Sequence, residues 1–302
     1  MKRSALSEVA AVTQRLAVLL GAGVAPASAW AHVAEGSSST IPARVVASRA
    51  EPARLADELA AAAESLGRLD ASAWRGLAAA WSVATDAGAP LAPSLRDYAR
   101  SLRSLAQVQR DVDVALAAPV ATARMVMVLP VIGVLFGMAL GFNTLETLFT
   151  TPLGWGSLVV GVLLMVLAQR WNRRLVASAQ PDDAAPGLEC DLMAIAVSGG
   201  GALDRARVTV DDAVQRFGLT ARGDRIDGVI ELSRRAGVPA AELLRAEADD
   251  ARRNARAEAQ EKAARLSVGL MLPLGLCILP AFMVLGVFPL LITVISSTVG
   301  TF

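Results

Sequence analysis

The sequence predicts an all-α membrane protein. Two cytoplasmic helical-bundle modules form an unequal internal repeat, and three transmembrane helices carry them. Three observations predict this. Of 302 residues, 54% are hydrophobic and the mean hydropathy is +0.48, too apolar for an ordinary soluble chain. The charges are segregated: they gather in 1–124 and 170–265, and Leu266–Phe302 carries none. Apolar residues recur at helical spacing, and no convincing alternating strand interrupts them. About 20 apolar residues cross a bilayer as a helix, so the charge-poor runs are long enough to span. The charged stretches are long enough to bury a small core. The divisions are 1–124 for the first module, 125–146 and 147–170 for two spans, 171–265 for a linker and second module, and 266–302 for a third span with a short external C-terminus.

The first helix is expected over Ser4–Leu20, where Leu6, Val9, Val12, Leu16 and Leu19 share a face. Lys2 and Arg3 followed by the apolar Leu16–Ala31 and Ala27-Ser28-Ala29 have the look of a secretory signal. Glu8 and Arg15 make the leading region mixed in charge, and a related pattern recurs deep in the chain, so a folded helix-turn-helix is the favoured reading. Gly21 and Gly23 break the helix and Pro26 opens the next, to about Glu35. Gly36-Ser-Ser-Ser-Thr40 reads as a flexible connector. Glu51-Pro52 opens a helix to about Leu69, and Asp70 caps one carrying Trp74, Leu77 and Trp81 that ends at Ala87-Gly88. A long helix follows from Ala89–Pro93 through Leu95, Tyr98, Leu102, Leu105, Val108 and Val112.

Met125–Leu145 and Thr147–Gln169 are the first two spans, joined by a few residues without Lys or Arg. Arg124 flanks the first, and Arg170, Arg173 and Arg174 follow the second. The positive-inside rule therefore puts the N-terminal region and both modules in the cytoplasm, and the connector and C-terminus outside. Trp155 and Trp171 stand near opposite ends of the second span, as interfacial aromatics do. The last span holds Pro273, Pro280 and Pro289. Interior prolines are tolerated where neighbouring helices satisfy the freed carbonyls. A bent, packed helix is the simpler reading of Pro273 and Pro280; a hinge is the sharper one.

Composition narrows the function. A net charge of +1 gives no basic field for nucleic acid. Cys190 lies in a polar segment and Cys277 in an apolar one, so reduced thiols are expected rather than a disulfide. No phosphate-binding Gly-x-x-x-x-Gly-Lys-Ser/Thr occurs, and with His32 the single histidine there is no His-based zinc site or Ser-His-Asp triad. No cofactor is expected and an enzyme is the weakest class. In Glu242–Arg265 the pairs Asp249/Arg253, Glu258/Lys262 and Glu261/Arg265 stand at i,i+4, the spacing of a solvated helix face.

Two local patterns repeat. Ala17–Ala25 resembles Ala194–Ala202. Ala87-Gly88-Ala89-Pro90 before Leu95-Arg96 resembles Ala236-Gly237-Val238-Pro239 before Leu244-Arg245, and the apolar runs that follow contain Leu129-Pro130 and Leu279-Pro280. The second copy is shorter, as if it lacked one helix. On these residues the chain resembles the type II secretion system F-domain family, the inner-membrane platform proteins of type II secretion, type IV pili and tight-adherence pili. Leu19-Leu20-Gly21-Ala22-Gly23-Val24 is similar to the helix-Gly-turn that opens each domain of that family. Asp86-Ala87-Gly88-Ala89-Pro90-Leu91 and Glu231-Leu-Ser-Arg234-Arg235-Ala-Gly237-Val-Pro239 are similar to its acidic-or-polar residue, Gly and amphipathic helix. The shortened second module points to the tight-adherence branch.

The resemblance implies a non-enzymatic platform. Its partners would be a cytoplasmic hexameric ATPase, a second platform chain or another copy of itself, pilin subunits and the bilayer. Glu231, Arg234 and Arg235, with the turns at Asp86, Gly88, Pro90, Gly237 and Pro239, are the candidate motor-docking features. Two other classes compete. A transporter permease would carry ionisable residues inside its spans, and Met125–Leu145 and Thr147–Gln169 hold none. A membrane sensor would need a larger external domain than the short connector.

Overall fold

The structure is a computed structural model. It describes residues 5–48, 51, 54–139, 149, 151–178, 185–220, 224–269, 271–288 and 291. Among these it is helical, with no strand. The helices are α1 Ala5–Gly21, α2 Pro26–Glu35, α3 Thr40–Ala47, α4 Leu55–Ala63, α5 Arg68–Asp86, α6 Leu91–Ala139, α7 Pro152–Ser178, α8 Leu188–Ser198, α9 Leu203–Arg216, α10 Asp224–Ala236 and α11 Ala240–Gly269. They are followed by a stretch of α- and π-turns from Met271 to Val287.

The chain divides into two compact units, 1–110 with 182–256, and 111–181 with 257–302. Charge patterning alone set the limits at 124 and 265. The two stretches expected as separate bundles pack instead around one core. Its centre is α5. Leu77, Ala78, Ala79 and Ala80 are fully buried there, with Trp74 and Trp81 almost so. A helix apolar on every side needs cover on every side. That cover comes from α1 and α4 in the first stretch and from α8 and α9 in the second. Helix α8 has the same need, with Leu192 and Met193 wholly buried and Ile195 nearly so. Neither stretch closes its own core. Trp30 of α2 meets Trp81 of α5 with ring centroids 5.9 Å apart, an aromatic contact worth about 1 kcal/mol beyond its area.

The expected helices α1, α2, α5 and α6 lie where periodicity placed them. The connector lies between α2 and α3 at residues 36–39, but its last serine starts a helix not expected from the sequence. Ser39 is the N-cap of α3, its hydroxyl accepting from Ile41 N at 3.3 Å, and Ile41 and Val45, one turn apart, are buried. A Ser-rich stretch that reads as flexible is here a capping signal. Helix α4 begins at Leu55, and Pro52 lies outside the described residues. Asp70 stands inside the first turn of α5, where an acid suits the helix dipole, and Gly67 is the N-cap. The first stretch thus carries two short helices, α3 and α4, between α2 and α5.

The second unit is apolar on its outside. Met125, Ile132, Leu135 and Phe136 of α6, Val159, Leu163 and Leu167 of α7, and Leu276 and Leu279 of the last stretch are exposed. Inside, small residues let large ones from a neighbouring helix approach closely. A Cβ built on Gly133 would stand 2.8 Å from the ring of Phe282, and one on Gly161 would fall on the Leu285 side chain. Ala168 packs with Cys277 and Ile278. Small residues at the helix contacts and large apolar ones on the outside are the pattern of helices packed in lipid.

Gly154–Leu175 is long and apolar enough to cross a membrane, and only 22% of its apolar window is buried, unlike the core helix of a soluble protein. It sits a few residues later than the expected 147–170. Among the described residues it is the one such helix; Gly275–Val287 is a shorter apolar one. Residues 140–148 and 292–302, on which the ends of the other two expected spans fall, lie outside the described residues.

Candidate functional site

Two features of the first unit carry its polar chemistry: a pair of glycine turns and a charged cleft. Helix α5 ends at Asp86, and Gly88 takes φ +67°, a left-handed value that L side chains rarely adopt. The turn closes by Ala89 N donating to Ala84 O at 2.8 Å, a Schellman-type end. Ser82 donates to Asp86 Oδ2 at 2.9 Å. Helix α10 ends similarly, with Gly237 at φ +69° and Gly237 N donating to Ser233 O at 2.9 Å. The Ser233 hydroxyl then donates to Val238 O at 2.7 Å. Pro90 and Pro239 follow, just before α6 and α11, where a missing N–H costs nothing. The turn after α8 packs on the first of these: a Cβ on Gly199 would collide with the Ala87 carbonyl, so only glycine fits there.

The charged cleft has a volume of about 160 Å³ and lies between α6, α8 and α11. Arg252 donates to Asp191 at 2.8 Å and to Asp249 at 2.6 Å. Arg252 and Asp191 are both buried, at 4% and 8% exposure. Burial pushes the Asp191 carboxyl up; Arg252 and a hydrogen bond from Ser101 oppose the shift without cancelling it. Burial also works against the charge on Arg252, but Asp191 and Asp249 hold its pKa above the ordinary value. The neighbouring Tyr98 hydroxyl is pushed up, first by burial and then by Asp191. At the rim Arg245 pairs with Asp97 at 3.2 Å. Three carboxylates face three guanidiniums on the lining, so the cleft is charge-balanced and acts as a clamp across three helices.

The motor-docking candidates are exposed. Glu231 pairs with Arg235 at 3.5 Å, one turn along α10, and Arg234 reaches Asp204 of α9 at 3.6 Å. No hydrogen bond or ion pair joins this group to Asp86, Gly88 or Pro90 among the described residues. On α11 the pairs Glu258/Lys262 and Glu261/Arg265 form at 2.9 and 2.6 Å as expected. Asp249 does not pair with Arg253. It turns to Arg252, and Arg253 pairs with Asp250.

Pro273 is buried and Pro280 half-buried. The residue four before Pro280 is Leu276, inside the π-turn Leu274–Ile278. A proline ring crowds the carbonyl four residues back, so a widened turn there is its local consequence. Cys190 and Cys277 are free thiols, and no group of three metal-ligating side chains occurs among the described residues.

Buried Asp191 and Arg252 escape a reading of the sequence as solvated charge runs. A signal for Arg252 exists. It stands four and eight residues after Ala248 and Leu244, both fully buried, so it shares the apolar face of α11.

The architecture is that of an all-helical protein with a lipid-compatible second unit and a helix fit to cross a membrane. Residues 12–139 match the model of the family described as type II secretion system (T2SS), protein F. That family consists of inner-membrane platform proteins of secretion- and pilus-type machines, generally non-enzymatic. The match takes in most of α1 and all of α2–α6. No curated protein and no solved structure matches the chain.

Proposed function

We propose that this chain is an inner-membrane platform of a pilus-assembly or type II secretion-like machine, of the tight-adherence branch. It couples a cytoplasmic hexameric ATPase to extraction of pilin subunits and growth of a filament. The observation that carries the reading is the family match over 12–139. ATP is hydrolysed by the partner. The platform works as a dimer or beside a second platform chain. Three helices cross the inner membrane, with the first unit in the cytoplasm and the C-terminus outside; arginines at 124, 170, 173, 174 and 265 favour that orientation. Pro273 and Pro280 form a hinge in the third.

The helical stretches on either side of the first two spans are copies of one plan. Gly23 and Gly200, at matched positions, have φ values of 86° and 80°, and Gly88 and Gly237 have 67° and 69°. A Cβ on Gly21 would meet the Arg96 guanidinium at 3.4 Å, and at the matched positions Arg245 reaches the Ser198 hydroxyl at 3.4 Å. Agreement in turn geometry and in one arginine contact supports duplication, with α3 and α4 as the difference.

The test is a pull-down of the tagged protein from its native membrane in mild detergent, read by mass spectrometry. Recovery of a secretion-type hexameric ATPase and a second platform-like chain is expected. Recovery of a nucleotide-binding transport subunit, or of a kinase, would replace this reading with a permease or a sensor.

A further inference from the structure

On the first unit, α1 and α6 enclose a groove of about 360 Å³ lined by Ser7, Ala10, Ala11, Gln14, Arg15, Arg103, Ala106 and Arg110. No carboxylate lines it; Glu8 lies on α1 beside this face. The three guanidiniums are exposed, and each is held by neutral acceptors. Arg15 donates to Gly36 O at 2.7 Å. Arg103 donates to Gln14 Oε1 at 2.9 Å and to Ala99 O at 3.2 Å. Arg110 donates to the Ser7 hydroxyl at 3.1 Å and to Gln107 Oε1 at 2.6 Å. None of the three enters an ion pair among the described residues, although Arg100, Arg207, Arg216, Arg245 and Arg252 all do. Three guanidiniums are therefore held along one groove by neutral acceptors, with no ion pair among the described residues to offset their charge.

We infer that this groove docks an acidic helix of a partner protein. Ala10, Ala11 and Ala106 give the groove a floor of small side chains, which lets a helix backbone approach closely. Arg103 and Arg110 stand seven residues apart on one helix, about 10.5 Å along its axis, the spacing of carboxylates at i and i+7 on a helix laid alongside. Guanidiniums already held by Gln14, Ser7 and Gln107 lose little freedom on pairing, and they bind carboxylates in bidentate fashion. A membrane surface is met better by flexible basic side chains on a convex face than by arginines fixed along a groove.

The test uses the full chain in a neutral detergent. The probe is an alanine-based helical peptide bearing Glu at i, i+3, i+4 and i+7, compared with the same peptide carrying Gln. The Glu peptide is expected to bind, the Gln peptide not. R103Q/R110Q is expected to weaken binding by about ten-fold or more. R205Q/R253Q, which removes the same charge elsewhere, is expected to leave it unchanged. A photo-crosslinking Glu peptide on the unaltered chain is expected to label α1 between Ala10 and Gln14 or α6 between Arg103 and Arg110. That readout stands even if the double variant fails to fold. Labelling elsewhere, equal loss in both double variants, or no binding of the Glu peptide would overturn the inference. So would tighter binding to phosphatidylglycerol vesicles that R103Q/R110Q abolishes, with no peptide bound, since the groove would then serve lipid headgroups.

Discussion

Asp191 and Arg252 meet at 2.8 Å inside the first unit, joining α8 to the charged helix α11. Removing one member of a buried pair strands the other, at a cost of about 3–5 kcal/mol. Arg252→Met should therefore lower the midpoint of denaturant unfolding substantially. D191L/R252M, which removes both charges, should recover most of the loss. The single variant should also depend on pH. Burial already raises the Asp191 carboxyl above its ordinary 3.8. A raised folded-state pKa gives stability that is present below the unfolded value and lost as pH rises through the folded one. Without Arg252 that loss should steepen, so R252M should be closest to wild type near pH 4 and weakest at neutral pH. A double variant no more stable than R252M would refute the clamp.

The same interior is sensitive to alkali. The Cys190 thiol is pushed from 9.0 to about 12, first by burial and then by Glu247 and Asp191. Tyr98 is pushed up by burial and by Asp191. Both groups favour folding while neutral, so the first unit should lose stability as pH climbs from about 9 towards 12. Cys190→Ala should flatten that slope. Native Cys190 should also resist iodoacetamide at pH 8 until denaturant is added; rapid alkylation of the folded chain would contradict its burial.

Gly88 and Gly237 were legible in the sequence because a glycine after a polar helix end, followed by proline, is a local signal with a local cause. The helices α1, α2 and α5 were legible for a similar reason, since Val9, Val12 and Leu16, or Trp74, Leu77 and Trp81, mark one face by themselves. The shared core was not. It depends on α5 meeting α8 and α9, a contact between distant segments that no periodicity encodes. Helix α3 was missed because serines that cap a helix look, in sequence, like serines that leave a chain free. The Asp191–Arg252 clamp was hidden twice. Its acid sits in an apolar run, and its base sits in a run where every other residue is charged or small. The groove at Arg15, Arg103 and Arg110 draws on helices from different parts of the chain, and only their packing brings these arginines together.

In the second unit the close approach at Gly161 is the more sensitive of the two glycine contacts. Gly161→Ala would place a methyl group on the Leu285 side chain. Overpacking of this kind costs about 1–3 kcal/mol. The variant should melt earlier in detergent than wild type. Leu285→Ala in the same chain should restore room and, with it, part of the stability. If Gly161→Ala melts like wild type alone, the two helices do not pack as closely as this.

Pro280 lies just past the π-turn Leu274–Ile278. Pro280→Ala returns an N–H able to bond the Leu276 carbonyl, so the turn should tighten towards an α-helix. If the hinge reading holds, the variant should accumulate in the membrane at wild-type level while filament number falls. Normal filaments on cells carrying P280A would leave Pro280 as a bend with no part in movement.

The exposed pairs Glu231/Arg235 and Arg234/Asp204 separate docking from stability. Each is a surface ion pair of the kind that contributes little to folding. Glu231→Arg and Arg234→Glu should therefore leave the thermal midpoint within a degree or two of wild type, roughly the scatter expected for surface changes away from a core. An interface reads charge by orientation, and reversing a rim charge slows association and alters its salt dependence. Each reversal should therefore reduce recovery of the ATPase in the pull-down, most at low salt. Restored recovery on reversing the complementary charge of the ATPase would identify α10 as a docking face. Undiminished recovery with both reversals combined would take α10 out of the interface and leave the groove between α1 and α6 as the surface to test next.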